Sequence, residues 1–335
     1  MVSFVRHLAV KAVIVAPMHC PRAITLLFLT LSLLGATAAA PRQDAKPASP
    51  APAPDAEEWI DDQKLQQTLM EGAVALIEAG RAPEVSEVAK GLATPACELD
   101  LLDDAAPATE PPAAGHAAPA KGRVESEALY EQARKSVVVV GSAYKCTRCT
   151  NWHLNGATGF MLTADGALVT NYHVVDQADK RALVAMTSDG RVFPVVEALA
   201  RDEKTDVAIL RLEPVDQHGE KATFSPARLA EKSRVGQSVR VVHHADGRYY
   251  TLTEGIVSRR YTDSHRGESQ WITITADYAR GSSGGPLFND AGEVIGIVAS
   301  TSSVYYDQDE EGTPQNLQMV WKQCVPVENI RKLIE

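Results

Sequence analysis

Cysteine is scarce in this chain, five among 335 residues. That scarcity excludes a disulfide-built scaffold and leaves the fold to an apolar core, for which 45% hydrophobic residues suffice. Positive charge is outweighed: 33 Lys and Arg stand against 43 Asp and Glu, for a formal net charge of −10. Such a balance argues against a nucleic-acid partner and against a general attraction to anionic membranes. A long apolar run is missing as well. The stretch from Ala23 to Leu34 falls short of the ~20 residues that a membrane-spanning helix needs. The length itself is compatible with one to three domains.

That short apolar stretch has the form of an export signal. Arg6, Lys11 and Arg22 supply its positive flank, and Ala36-Thr37-Ala38 offers a small-residue cleavage site. Pro41 obstructs cutting after Ala40, so residues 1–38 are expected to be a signal peptide and the mature protein to be exported, periplasmic or secreted. An uncleaved membrane anchor is the competing reading, and Met18 is an alternative start to Met1. Cys20 precedes the apolar run, whereas a lipoprotein cysteine would follow it.

Residues 39–56 and 105–122 are Ala/Pro-rich and read as semi-rigid linkers. Between them, residues 57–104 read as a small helical segment. Leu65, Leu69, Val74, Leu76 and Ile77 recur at helical spacing, and Asp55, Glu57 and Glu58 place negative charge where a helix N-terminus favours it. Two short helices are expected, broken at Gly80-Arg81-Ala82-Pro83. The segment serves either as a docking or spacer element, or as an oligomerisation or self-inhibiting one.

From residue 123 onward the pattern turns to short strands separated by turn signals, as in an all-β sandwich or barrel. Ser136 to Val140 is a β-branched run; Asp165-Gly166 and Asp189-Gly190 are hairpin turns. Val239 to His243, Ile256 to Arg260, Trp271 to Thr275 and Val294 to Val298 supply later strands, and Asn289-Asp290-Ala291-Gly292 a further hairpin. A terminal helix is expected around Val327 to Ile334.

Three segments carry chemistry. Gly281-Ser282-Ser283-Gly284-Gly285-Pro286 wedges a serine between glycines, which presents a hydroxyl beside bare backbone N–H donors. Serine is a weak nucleophile and needs a base and an orienting carboxylate. Thr170-Asn171-Tyr172-His173 places a histidine just after an apolar strand, and Thr205-Asp206-Val207 an aspartate at the mouth of another. No histidine follows His265, which excludes the Ser, Asp, His order of α/β-hydrolases and leaves the order His, Asp, Ser.

The runs "TGFMLTADGALVTNYHVV", "TDVAILRLE" and "RGSSGGPLFNDAGEVIGI" resemble the trypsin-like serine proteases, most closely their bacterial HtrA/Deg branch, over roughly residues 130–335. The resemblance implies an all-β domain over 123–335, made of two antiparallel six-stranded β-barrels with a short C-terminal helix. It also implies a serine endopeptidase acting on protein or peptide substrates, with His173 as general base, Asp206 orienting it, and Ser283 as nucleophile in a cleft between the barrels. Gly281 and Ser283 would offer N–H groups to the oxyanion. No cofactor is needed for that chemistry. Asp277 lies six residues before Ser283, the offset of the primary-pocket base in trypsin-like enzymes, where a buried carboxylate would select Arg or Lys. HtrA relatives carry a small or apolar residue there and prefer aliphatic side chains. Asp277 bonding only within its own loop is the alternative, and Tyr278 is placed to fill part of the pocket.

Departures from the family pattern limit what carries over. Ser282 replaces the Asp or Asn that precedes the nucleophile, so a zymogen switch built on that aspartate is not expected; Val174 replaces a half-cystine. Only 52 residues follow Ser283, fewer than the roughly 80–100 of a PDZ module, so no PDZ module is expected.

Cys146-Thr147-Arg148-Cys149 followed by His153 leaves three readings open: a local disulfide, a metal site completed by Cys324 or another histidine, or unmodified thiols. Cys97 and Cys324 are candidates for tethering the helical segment to the rest. His243-His244 are expected on opposite faces of a strand, one buried and one exposed, and the acidic run Asp307 to Glu311 in a long loop. Against the peptidase stand a protein-binding or chaperone-like module with a latent triad, and a redox or metal-responsive protein sensing through the cysteine loop.

Overall fold

The computed structural model describes residues 59–90, 96–99, 101, 123–146, 148–176 and 181–334. The expected signal peptide and both Ala/Pro-rich linkers lie outside them. Among the described residues twelve strands form two closed antiparallel barrels. The first comprises β1 (Val137–Lys145), β2 (Trp152–Met161), β3 (Ala167–Thr170), β4 (Ala182–Met186), β5 (Val192–Asp202) and β6 (Val207–Leu212), in the ring order β1-β2-β3-β6-β5-β4. The second comprises β7 (Ser238–Ala245), β8 (Arg248–Asp263), β9 (Ser269–Ile274), β10 (Pro286–Phe288), β11 (Val294–Gln308) and β12 (Pro314–Pro326), ordered β10-β11-β12-β9-β8-β7. This is the chymotrypsin-like architecture, and closure removes the open edges that a sheet would otherwise expose.

The period-2 alternation of a strand explains how one valine run serves two cores. Val138 and Val140 of β1 face the first barrel's interior with Leu168, Leu183 and Phe193. Val137 and Val139 face outward and meet Leu69, Ala73 and Leu76, three residues at helical spacing on α1 (Asp62–Glu78). Asp61 caps α1 by accepting from the Lys64 N–H at 3.0 Å, so the helix begins beyond the acidic residues Asp55, Glu57 and Glu58. After the Gly80–Pro83 break, α2 (Val85–Val88) buries Val85 and Val88 in the first barrel's apolar cluster.

The strand expected from Ser136 begins one residue later, because Ser136 closes a helix, α3 (Ser126–Ser136). Leu129, Ala133 and Ser136 share its buried face, an i, i+4, i+7 pattern that the valine run following it overshadowed. The acidic run also departs from expectation. It lies not in a long loop but at the tip of the β11–β12 hairpin, where Asp309 N donates to Thr313 O at 3.0 Å. Cross-strand pairs such as Val304 with Met319 and Tyr305 with Leu317 extend the ribbon this far. Two further short α-helices are α4 (Tyr172–Val175), between β3 and β4, and α5 (Val327–Arg331), after β12, and a 3-10 turn, Ser264–Arg266, joins β8 to β9. No described helix is long and apolar enough to cross a membrane.

Candidate active site

His173 is carried on α4, immediately after β3 delivers the chain to the mouth of the first barrel. Asp206 sits just before β6 with φ +59°, a left-handed conformation that aspartate tolerates better than most residues. Three bonds to the His173 segment hold it there. Its Oδ1 accepts from the His173 backbone N–H at 2.9 Å, its Oδ2 lies 2.8 Å from His173 Nδ1, and its carbonyl accepts from Asn171 Nδ2 at 2.9 Å. The other ring nitrogen, Nε2, lies 3.0 Å from Ser283 Oγ. An ionised carboxylate only accepts, so Nδ1 carries the proton and Nε2 presents its lone pair to the serine hydroxyl. The Asp206 side chain is 13% exposed against 48% for His173, which shelters the carboxylate from water while the imidazole remains reachable.

The serine comes from the second barrel, on the loop between β9 and β10. Gly281 has φ +92° and Gly284 φ +83°, and a Cβ on them would come within 2.5 Å of the His244 carbonyl and 2.1 Å of the Thr158 carbonyl respectively. Both positions are therefore closed to other residues by conformation and by space. Thr158 of β2 anchors the loop across the cleft. Its N–H donates to Ser283 O and its hydroxyl to Gly281 O, each at 2.8 Å. Ser282 N–H donates to Ala279 O and Gly284 N–H to Val298 O. Among the described residues no acceptor engages the N–H groups of Gly281 and Ser283. Two unengaged donors thus flank the hydroxyl, beside a cavity of about 490 Å³ lined by Leu154, Gly156, Ala157, His173 and Gln66 of α1.

Both adjacent histidines are buried, which corrects the expectation of one exposed. β7 is covered on its two faces at this point. His243 Nδ1 lies 2.8 Å from Ser282 Oγ, and the ring of His244 packs edge-on to Tyr250 while its Nδ1 accepts from Tyr250 N–H at 3.1 Å. Burial pushes His243 down to about 4, and burial with His243 alongside pushes His244 down to about 3. Neither the contact of His243 with the residue before Ser283 nor the Thr158 anchor leaves any local trace in the sequence. Both arise from strands far apart along the chain.

Asp277 does not form the buried base of a pocket. Its side chain is 86% exposed and pairs with Lys322, because its backbone, tied through its carbonyl to Thr253 Oγ1 at 2.8 Å, turns the carboxylate outward. Tyr278 points inward instead. Its hydroxyl lies 2.8 Å from both the Ser300 and Gln323 carbonyls, and burial pushes its ionisation up.

The cysteine loop lies in the exposed turn between β1 and β2. Cys146 Sγ is 3.1 Å from Cys149 Sγ, and Cys149 Sγ is 3.0 Å from His153 Nε2. The thiols are unbridged, and the hydrogen bond from Cys149 lowers Cys146 to about 7. The tether expected between Cys97 and Cys324 is not formed. Cys97 Sγ donates to Leu333 O at 3.4 Å, while Cys324, considered also as a fourth metal ligand, is enclosed in the second barrel's core and pushed up to about 12 by burial.

Residues 157–297 match the trypsin-like peptidase domain. The chain is 38% identical over 143 residues to a Rhizobium meliloti protein named "Probable periplasmic serine endoprotease DegP-like", an alignment covering 42% of this chain and 27% of the relative. It is 29% identical over 153 residues to the "Serine endoprotease DegS" of Haemophilus influenzae, covering 45% of this chain and 42% of that protein. The matched segments cover less than half the length of these relatives, and His173, Asp206 and Ser283 fall within the matched residues 157–297.

Proposed function

We propose that this chain, which carries a trypsin-like peptidase domain homologous to the DegP-like and DegS endoproteases, is an exported serine endopeptidase that cleaves protein or peptide substrates through an acyl-enzyme. The observation that carries the reading is the continuous path from Asp206 Oδ2 through both nitrogens of His173 to Ser283 Oγ, with steps of 2.8 and 3.0 Å.

His173 Nε2 takes the hydroxyl proton as Ser283 Oγ attacks the scissile carbonyl, then returns it to the leaving amine. Asp206 holds the Nδ1–H tautomer and stabilises the imidazolium that forms. The unengaged N–H groups of Gly281 and Ser283 bind the tetrahedral oxyanion, each such donor supplying roughly 3 kcal/mol of transition-state stabilisation. Water then attacks the acyl-enzyme by the same proton path in reverse. Export is supported by the apolar stretch before Ala36-Thr37-Ala38 and by the periplasmic designation in the Rhizobium relative's name.

Ser283→Ala tests the assignment. The variant is expected to lose peptide hydrolysis and labelling by a fluorophosphonate while keeping the parent's unfolding midpoint, since the hydroxyl's packing role is slight. Equal hydrolysis by variant and parent overturns the mechanism. A parent that folds but takes no label favours a protein-binding module with a latent triad.

A further inference from the structure

The structure places three soft or borderline donors around one point of the exposed β1–β2 turn, none of them a member of the Asp206–His173–Ser283 path. We propose that Cys146, Cys149 and His153 form a site for a borderline-soft divalent cation of the Zn²⁺ type, with three protein ligands and a fourth position open to water or another donor. The ligand atoms lie within 4.8 Å of one another. Thiolate sulfur and imidazole nitrogen are the donor set that selects zinc over magnesium or calcium.

Distances favour a shared ion over a sulfur–sulfur bond. The Sγ atoms stand 3.1 Å apart, beyond the ~2.05 Å of a disulfide. Ligand lengths of ~2.3 Å to sulfur and ~2.0 Å to nitrogen in a tetrahedron call for ~3.8 Å between sulfurs and ~3.5 Å between sulfur and nitrogen. Each spacing here needs to open by only about half an ångström or somewhat more, in a turn where Cys149 is exposed. The histidine is the feature that a disulfide leaves unexplained. His153 pairs with Tyr144 across β1 and β2, and their rings stack at 5.4 Å. That stacking fixes the imidazole so that Nε2 faces Cys149 Sγ at 3.0 Å. Two thiolates and a divalent ion sum to zero charge, which suits a site beside the Lys145–Trp152 cation–π pair. Uptake releases the two thiol protons to solvent.

The site also has a mechanical connection to the cleft. β2 runs from His153 through Leu154, Gly156 and Ala157, which line the cavity, to Thr158, which holds the carbonyls of both Gly281 and Ser283. A cation closing the turn therefore braces one end of the strand that anchors the Ser283 loop.

Cobalt titration of the reduced full chain under anaerobic conditions tests the site without reference to peptidase activity. Equimolar Co²⁺ uptake is expected, with a thiolate-to-metal charge-transfer band in the near ultraviolet that Zn²⁺ displaces. Cys146→Ser and Cys149→Ser should each weaken uptake by about 10²-fold or more, and His153→Ala should weaken it while retaining the sulfur band. Far-ultraviolet circular dichroism of each variant reports that the barrels remain folded. Absence of the band in the reduced parent overturns the proposal. So does a band of unchanged intensity and affinity in the Cys146→Ser/Cys149→Ser double variant, which would move the binding to other cysteines. Oxidation of Cys146 to Cys149 in the presence of excess Zn²⁺ also overturns it.

Discussion

His243 Nδ1 stands 2.8 Å from the hydroxyl of Ser282, the residue before the serine that faces His173. Ser282 is fully buried, and its Oγ also accepts from the Ala279 N–H at 3.3 Å. A neutral serine–histidine contact thus occupies the position where the family pattern has Asp or Asn. It ties the loop bearing Ser283 to β7 with no charge in the core.

Ser282→Ala should destabilise the fold by roughly 1–3 kcal/mol, because the Ala279 N–H and His243 Nδ1 both lose a buried partner. The same loss loosens the turn that sets the Gly281 and Ser283 N–H directions, so kcat is expected to fall more than KM rises. Urea unfolding and steady-state kinetics check the two effects. A variant with the parent's midpoint and kcat would show that this contact has no role in holding the loop.

The buried histidine pair makes stability depend on pH. Both histidines have folded values depressed below the ordinary ~6.5, to about 4 for His243 and about 3 for His244. Between those values and ~6.5 the unfolded chain binds protons that the folded chain does not, so stability falls as pH drops through that window. A loss on the order of 1 kcal/mol per pH unit per histidine is expected. Denaturant midpoints at pH 7, 6, 5 and 4.5 measure it, and a flat profile attributable to these groups would contradict the burial seen here.

Much of this architecture was legible because two periodicities are plain in the sequence. The Val137–Val140 run announces β1, and Leu69 and Leu76 lie seven residues apart on α1. That His173, Asp206 and Ser283 belong together was legible for a different reason: each sits in a short segment whose neighbours dictate a local turn or strand mouth. What stayed hidden depends on contacts made across the fold. Nothing beside Thr158 indicates that it will hold Gly281 and Ser283, and nothing beside Asp277 indicates that Lys322, on a strand 45 residues later, will draw it into solvent. Helix α3 was concealed by the strand signal that begins where it ends.

Leu76→Ala tests whether α1 is part of the folding unit. Leu76 is 1% exposed and packs with Leu69 and Ala73 in the cluster that contains Val137, Val139 and Val192. Gly72, on the same buried face, lies so close to Val192 that a Cβ would come within 2.6 Å of its side chain, which shows how little room the interface has. Truncation should cost about 2–5 kcal/mol of global stability. If α1 were a loosely attached spacer, the midpoint would stay unchanged and the helix would simply become protease-sensitive.

Tyr278 is expected to set primary specificity. Ala299 O lies 3.4 Å from Ser283 Oγ, and the next carbonyl on β11, that of Ser300, lies 2.8 Å from the Tyr278 hydroxyl. The Tyr278 phenol is therefore tied to the strand that also carries Ala299, and its ring lies in the second barrel's apolar cluster. A ring that fills part of the primary pocket, with the Asp277 carboxylate turned out to Lys322, would favour small aliphatic residues and give no counter-charge to Arg. Tyr278→Ala should raise kcat/KM for a Phe substrate relative to an Ala substrate by about 10-fold or more, within the 1–3 kcal/mol that pocket volume commands. Tyr278→Phe keeps the ring and should keep the parent's preference, which separates filled volume from the loss of the hydroxyl's two contacts. Asp277→Ser should leave the ratio of Arg to Ala cleavage unchanged. A parent that cleaves preferentially after Arg, or a Tyr278→Ala variant with the parent's Phe-to-Ala ratio, would remove Tyr278 from this role, because either result requires an open pocket that the ring at this position does not leave.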